Sequence, residues 1–199
     1  MKILSAEFIK SAFAPSQFID DNFPQIAFAG RSNCGKSTLI NTLLNRKKLV
    51  KTSSKPGFTK SVNYFLINNQ FYFVDLPGFG FAKIDKNTRT TWDNLITTFF
   101  QRSKNLKGVI HLVDIRRLFT DIDISFTDFL NQIEKPFLVA FTKADKFSNN
   151  EITNSIKKFK RSYPIVEPII VSSLKKNGIE ELWQEIDYIV GSPPTLEKL

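Results

Sequence analysis

Gly30-Arg31-Ser32-Asn33-Cys34-Gly35-Lys36-Ser37-Thr38 has the spacing G-x-x-x-x-G-K-S and follows directly on the apolar run Ile26-Ala27-Phe28-Ala29. Glycines at those places let the backbone wrap an anion with successive N–H groups pointing inward. The lysine reaches the β and γ phosphates, and the serine hydroxyl offers an oxygen to Mg²⁺. A glycine turn before an ordinary helix could contain the same residues. The phosphate reading is preferred because a strand-like run precedes the motif and a helical stripe, Leu39, Ile40, Leu43 and Leu44, follows it, which is the setting phosphate binding requires.

Outward from this loop, apolar runs alternate with helical periodicity. Strands are expected at 7–13, 25–29, 61–67, 70–75, 108–114, 136–142 and 168–172, and the pair around Asn68-Asn69 reads as a hairpin. Trp92, Leu95, Ile96, Phe99 and Phe100 make a one-faced helix, as do Ile179, Leu182, Trp183, Ile186, Ile189 and Val190. The pattern predicts an α/β fold: a mostly parallel sheet of six or seven strands with one antiparallel strand, helices on both faces and ligands at the carboxyl ends of the strands. Residues 46–60 and 76–87 lack periodicity and read as mobile loops. Residues 1–199 read as one domain, with 191–199 a frayed tail after Gly191-Ser192-Pro193-Pro194-Thr195.

At 199 residues and 42% hydrophobic content, the chain can bury a full core without disulfides or a structural metal. Its one cysteine, Cys34, has no intrachain partner, so a reducing compartment is expected, with Cys34 a small residue facing the loop interior. His111, the only histidine, reads as a strand residue with a satisfied ring, which argues against a histidine metal site. No apolar stretch approaches the roughly 20 residues of a membrane span, and Met1-Lys2-Ile3 starts no signal-peptide core. A cytoplasmic monomer with no membrane partner is expected. Charge is uneven: no acidic residue lies between Asp21 and Asp75, while Arg31, Lys36, Arg46, Lys47, Lys48, Lys51, Lys55 and Lys60 stand against a net charge of +9 for the whole chain. Residues 46–60 carry more positive charge than one nucleotide could use, so RNA is the natural partner. A solvated basic loop is the alternative.

The phosphate loop alone leaves ATPases, kinases and GTPases open, and further motifs narrow the choice. Asp75-Leu76-Pro77-Gly78 ends a strand with a carboxylate for Mg²⁺ and a glycine N–H for a γ-phosphate. Thr142-Lys143-Ala144-Asp145 follows another strand, and its carboxylate can accept N1–H and N2–H₂ of guanine. Adenine offers neither donor there. Ser172-Ser173-Leu174-Lys175 is placed to close over the base, and Thr59 within Lys55-Pro56-Gly57-Phe58-Thr59 could cap Mg²⁺ when a γ-phosphate is present.

The chain resembles the EngB family of ribosome-biogenesis GTP-binding proteins, within the translation-factor-related GTPases. The resemblance rests on Gly30-Arg31-Ser32-Asn33-x-Gly35-Lys36-Ser37, Pro56-Gly57-x-Thr59, Asp75-Leu76-Pro77-Gly78-Phe79-Gly80-Phe81-Ala82, Asp114-Ile115-Arg116, Thr142-Lys143-x-Asp145 and Ser172-Ser173. Phe79 stands where the family often has tyrosine, and Arg117-Leu118 where it often has His-Pro. The resemblance implies a Ras-like phosphate-loop GTPase fold, GTP and GDP binding, slow hydrolysis, and a role in assembling the large (50S) ribosomal subunit, linked to cell cycle and septation. Lys36, Thr59 and Gly78 are the expected catalytic groups; Ser37, Thr59 and Asp75 the expected Mg²⁺ ligands; and 30–38, 56–59, 75–78, 142–145 and 171–173 the expected nucleotide contacts. Related GTPases use an asparagine at the Asn33 position to help bind a monovalent cation, so K⁺ is a second expected ion. Many GTPases carry glutamine after the D-x-x-G glycine, whereas the Phe79 ring cannot orient an attacking water. That predicts a slow switch completed by a partner. Lys36 is expected to answer to the ligand rather than to the core. The rival readings are a kinase, which leaves Asp145 unexplained, and a non-catalytic RNA-binding module.

Overall fold

The structure is a computed structural model that describes residues 2–47, 49–50, 61–79, 86–117 and 119–191. Its strands are β1 (Ala6–Ala12), β2 (Gln25–Gly30), β3 (Val62–Ile67), β4 (Phe71–Asp75), β5 (Leu106–Asp114), β6 (Phe137–Thr142) and β7 (Ile169–Ile170). Its helices are α1 (Lys36–Leu43), α2 (Lys86–Arg102), α3 (Asp121–Gln132), α4 (Asn149–Ser162) and α5 (Ile179–Gly191). The strands form one seven-stranded sheet in the order β1-β3-β4-β2-β5-β6-β7. β3 runs against both its neighbours, β1 and β4, and every other pairing is parallel. The hairpin turns through Asn68 and Asn69, both left-handed at φ 51° and 53°, a conformation asparagine tolerates and a two-stranded turn favours.

β2 and β4 are buried along their whole length, as strands covered on both faces must be. Alternation then sorts their side chains. Ile26, Phe28 and Phe73 face α1 and α5 with Leu39, Ile40, Leu182 and Ile186, while Ala27, Ala29 and Val74 face α2 with Leu95, Phe99 and Phe100. A third cluster, Val113, Val139, Phe141 and Phe159, lies under α4. Trp183 ties two of these elements together: its Nε1–H donates to the Leu43 carbonyl at 3.2 Å, at the end of α1, and its ring stacks on Phe73.

The sheet agrees with the sequence expectation in class, strand number and the single reversed strand. Two loop expectations are corrected. α2 starts at Lys86, so 86–87 belong to a helix, and Leu76 to Phe79 are held by hydrogen bonds described below. Within 46–60, Val50 is buried and fixed, its N–H and C=O both bonded to the Asn41 side chain at 2.9 and 2.8 Å. Residues 1, 48, 51–60, 80–85, 118 and 192–199 lie outside the described residues, as do the side chains of 86–93, Trp92 among them. Among the described residues, no helix is long and apolar enough to cross a membrane.

Candidate nucleotide site

Because β2, β4, β5, β6 and β7 are parallel, their carboxyl ends share one rim of the sheet. Gly30, Asp75, Asp114 and Thr142 end four of them, with Val171-Ser172 just beyond the fifth. This is where a doubly covered sheet leaves an open crevice. From Gly30 the chain turns through Asn33, at φ 65°, and Gly35, at φ 101°, into α1. α1 has no side-chain cap and no acidic residue in its first turn, so the partial positive charge of its N–H groups faces the crevice.

Lys36 is buried there, and its ammonium is paired with Asp75 Oδ1 from the end of β4. Beyond Asp75 the chain runs alongside the phosphate loop. Leu76 N–H donates to the Phe28 carbonyl at 3.1 Å, Phe79 N–H to the Gly30 carbonyl at 3.3 Å, and Ser32 N–H to the Phe79 carbonyl at 3.0 Å. A Cβ on Gly78 would lie 3.0 Å from both Cα and Oγ of Ser32, so any larger residue there would press on the phosphate loop. The Phe79 ring is turned toward α3, with its centroid 4.7 Å from Phe126 and 6.2 Å from His111.

The other half of the crevice is tied to the loop. Thr142 Oγ1 donates to the Cys34 carbonyl at 2.5 Å, with the Val113 carbonyl 3.3 Å away. Lys143 Nζ donates to the Asn33 carbonyl at 2.6 Å and to Asp114 Oδ2 at 2.9 Å. Asp145 lies in a single helical turn, where Ser172 Oγ donates to its Oδ1 at 2.7 Å. That bond above all, with a smaller contribution from the nearby Lys146, holds the carboxyl below its ordinary range. Ser172 is buried, and its hydroxyl also accepts the Lys175 N–H at 3.1 Å.

Gly30 to Thr38, Asp75 to Gly78, Thr142 to Asp145 and Val171 to Ser173 are thus brought to one rim. Pro56, Gly57, Phe58 and Thr59 lie outside the described residues, as do Gly80, Phe81 and Ala82. Several of these side chains have partners within the protein. The Arg31 guanidinium reaches toward α3, where its Nη1 donates to Thr120 Oγ1 at 3.3 Å. Thr142 braces the phosphate loop, and Ser172 orients Asp145. Cys34 is buried, and burial lifts its thiol to about 11. His111 is only half satisfied: Nδ1 lies 3.2 Å from Thr127 Oγ1, whereas among the described residues Nε2 has no hydrogen-bond partner. Sequence reasoning gave no role to Asp114 or Arg116, although their position at a strand end was a usable signal.

The site defines a class, the phosphate-loop GTPases, and comparison with known proteins agrees. The model of a family described as 50S ribosome-binding GTPase matches residues 25–143. The probable GTP-binding protein EngB of Thermoanaerobacter pseudethanolicus is 46% identical over 184 residues, covering 92% of this chain and 96% of that protein. The corresponding protein of Caldanaerobacter subterraneus subsp. tengcongensis is 45% identical, covering 96% and 99%. A crystal structure of a probable GTP-binding protein EngB superposes with a TM-score of 0.71 at 28% identity, over 84% of this chain and 98% of that one. Era in complex with MgGDPNP and a piece of 16S ribosomal RNA shares the fold, with a TM-score of 0.69 at 24% identity over 90% of this chain and 60% of that one. The chain belongs to the EngB family of GTP-binding proteins.

Proposed function

We propose that this chain is a slow GTP-hydrolysing switch, built as one nucleotide-binding unit, that acts in the cytoplasm on assembly of the large ribosomal subunit. The observation that carries this is the two-ended crevice. The α1 N-terminus and Lys36 form its phosphate end, and Asp145, aimed by Ser172, forms its base end. Thr142 and Lys143 bond the two together. A guanine edge satisfies the Asp145 carboxylate, and an adenine leaves it unpaired. When a triphosphate enters, Lys36 exchanges Asp75 for phosphate oxygens, which frees that carboxylate.

The described donors suit Mg²⁺. Asp75 and Ser37 offer only hard oxygens, and the buried Asp75 already holds a cation, the Lys36 ammonium. Ser37, Asp75 and Thr59 would hold the ion, which supplies positive charge as the β–γ bond breaks. Lys36 and the loop N–H groups add to that charge, Gly78 N–H contributes at the γ-phosphate, and K⁺ beside Asn33 is a further contributor. Because the Phe79 ring packs on α3, alignment of the water falls to another group, consistent with a low rate until a partner binds. The basic residues at 46–60 are the proposed contact with ribosomal RNA.

The test is displacement of fluorescent GDP by GTP, GDP and ATP, followed by single-turnover hydrolysis with and without large subunits, in K⁺ and in Na⁺. Displacement by both guanine nucleotides but not ATP, with hydrolysis faster on subunits, is expected. Subunit binding without turnover would favour an RNA-binding module.

A further inference from the structure

Asp114 ends β5 beside the phosphate loop, and its carboxylate is crowded with donors. Arg116 supplies its backbone N–H to Oδ1 at 3.1 Å, Nε to Oδ1 at 2.9 Å and Nη2 to Oδ2 at 2.7 Å. Lys143 Nζ adds its bond to Oδ2 at 2.9 Å. Burial would lift this carboxyl, but the bonds from Arg116, then those from Lys143, outweigh it and hold the group below the ordinary range. Lys143 itself sits at φ 61°, a conformation that costs free energy in any residue but glycine. It is retained where its ammonium has fixed partners on both sides, the Asn33 carbonyl and Asp114. An ammonium has three donors, and two of them are committed to these partners.

Given that a guanine nucleotide occupies that crevice, we propose that Asp114 and Arg116 are positioning residues that set how long the nucleotide stays. The Arg116 fork fixes Asp114, Asp114 aims the Lys143 ammonium, and Lys143 locks the base-reading loop to the phosphate loop. A cap on the turn after β5 would use Arg116 and Asp114 alone. The bond from Lys143, which comes from a different strand, joins that turn to the site. Loss of the Asp114 charge would by itself strengthen attraction for phosphates, so faster release in a neutral variant reports lost positioning and not lost attraction.

The experiment measures release of fluorescent GDP by stopped flow, and steady-state GTP hydrolysis, for the parent, Asp114→Asn, Arg116→Ala, Arg116→Lys, Lys143→Ala and the Asp114→Asn/Lys143→Ala pair. Asp114→Asn should release GDP about tenfold faster, the scale of one charge-assisted hydrogen bond, with KM raised more than kcat is lowered. Arg116→Ala should move the same way, and Arg116→Lys should restore part of the parent behaviour. The double variant should be no faster than Lys143→Ala alone, because both changes cut the same chain of contacts. Release from Asp114→Asn within about twofold of the parent while Lys143→Ala is fast, or effects that multiply in the pair, would overturn the proposal. If Asp114→Asn does not fold, Arg116→Ala carries the test, since that side chain is 44% exposed. A parent that fails to retain fluorescent GDP overturns instead the reading of the site as a guanine-nucleotide crevice.

Discussion

Lys36 and Asp75 neutralise each other in a buried position, so each answers to the fold as well as to a ligand. This revises the sequence expectation for Lys36, which considered the ligand alone. Lys36→Ala leaves Asp75 buried and unpaired, a change that costs about 3 kcal/mol or more, whereas removing both charges costs less. Urea unfolding of nucleotide-free protein should therefore rank Lys36→Ala below the Lys36→Met/Asp75→Asn pair, and equal stabilities would refute the ion pair's role. Asp145 supports a second prediction. Asp145→Asn puts an amide donor where guanine also donates, so GTP should bind roughly 100-fold more weakly and XTP should be preferred; competition between the two nucleotides checks it. At this scale the chemistry-bearing residues were legible because their spacing is dictated by the phosphate chain and the base edge. What was not legible was where each side chain turns: nothing in Gly30-Arg31-Ser32 says that Arg31 reaches Thr120, or that Thr142 spends its hydroxyl on a carbonyl.

Among the elements, strands and the helices α2 and α5 were readable because their apolar stripes are what the core buries. α3 escaped for a physical reason. Its buried residues are Asp123, Thr127 and Leu130, while Ile122 is 37% exposed, so the expected pattern is partly inverted. α4 buries only Ser155 and Phe159 and shows a thin stripe. The capping sequences Thr120 to Asp123 and Ser148 to Glu151 were the available signals, and the second is a full reciprocal box, with Ser148 N–H to Glu151 at 2.8 Å and Glu151 N–H to Ser148 at 3.4 Å. The inverted face of α3 has a consequence for acid stability. Thr127 gives its one hydroxyl proton to the Asp123 carbonyl at 2.9 Å, so the His111 ring donates from Nδ1 and leaves Nε2, 3.9 Å from Asp123 Oδ1, without a hydrogen-bond partner among the described residues. Burial lowers the imidazole to about 3, whereas an unfolded histidine takes its proton near 6.5. The unfolded chain thus binds the proton first, and stability falls by about 1.4 kcal/mol for each pH unit below about 6.5. Asp123, raised chiefly by burial, works the other way, but only nearer the ordinary carboxylate range. Between pH 6.5 and 5 the parent should lose roughly 2 kcal/mol, and His111→Gln should show a much flatter profile in urea unfolding; parallel profiles would count against the assignment.

For the whole molecule, the net charge of +9 and the acid-free stretch between Asp21 and Asp75 make the proposed ribosomal partner testable. Each phosphate contact contributes a slope of about 0.7 to 0.9 in a double-logarithmic salt plot. Association with large subunits should weaken steeply with KCl and be tighter with a non-hydrolysable GTP analogue than with GDP. Glutamate at positions 47, 48 and 51 should cut co-sedimentation while leaving GDP affinity nearly intact; indifference to salt and nucleotide alike would leave those lysines a solvated loop. The strand order carries a different consequence, for the birth of the chain. β2, which delivers the phosphate loop, is flanked by β4 and β5 rather than by its neighbours in sequence. During synthesis it must wait, hydrophobic, until residue 75 has emerged to pair one edge and residue 114 to pair the other, and the braces from Thr142 and Lys143 come later still. A nascent chain shorter than this has the nucleotide motif but no means of holding a nucleotide, and its aggregation-prone interval falls in that window.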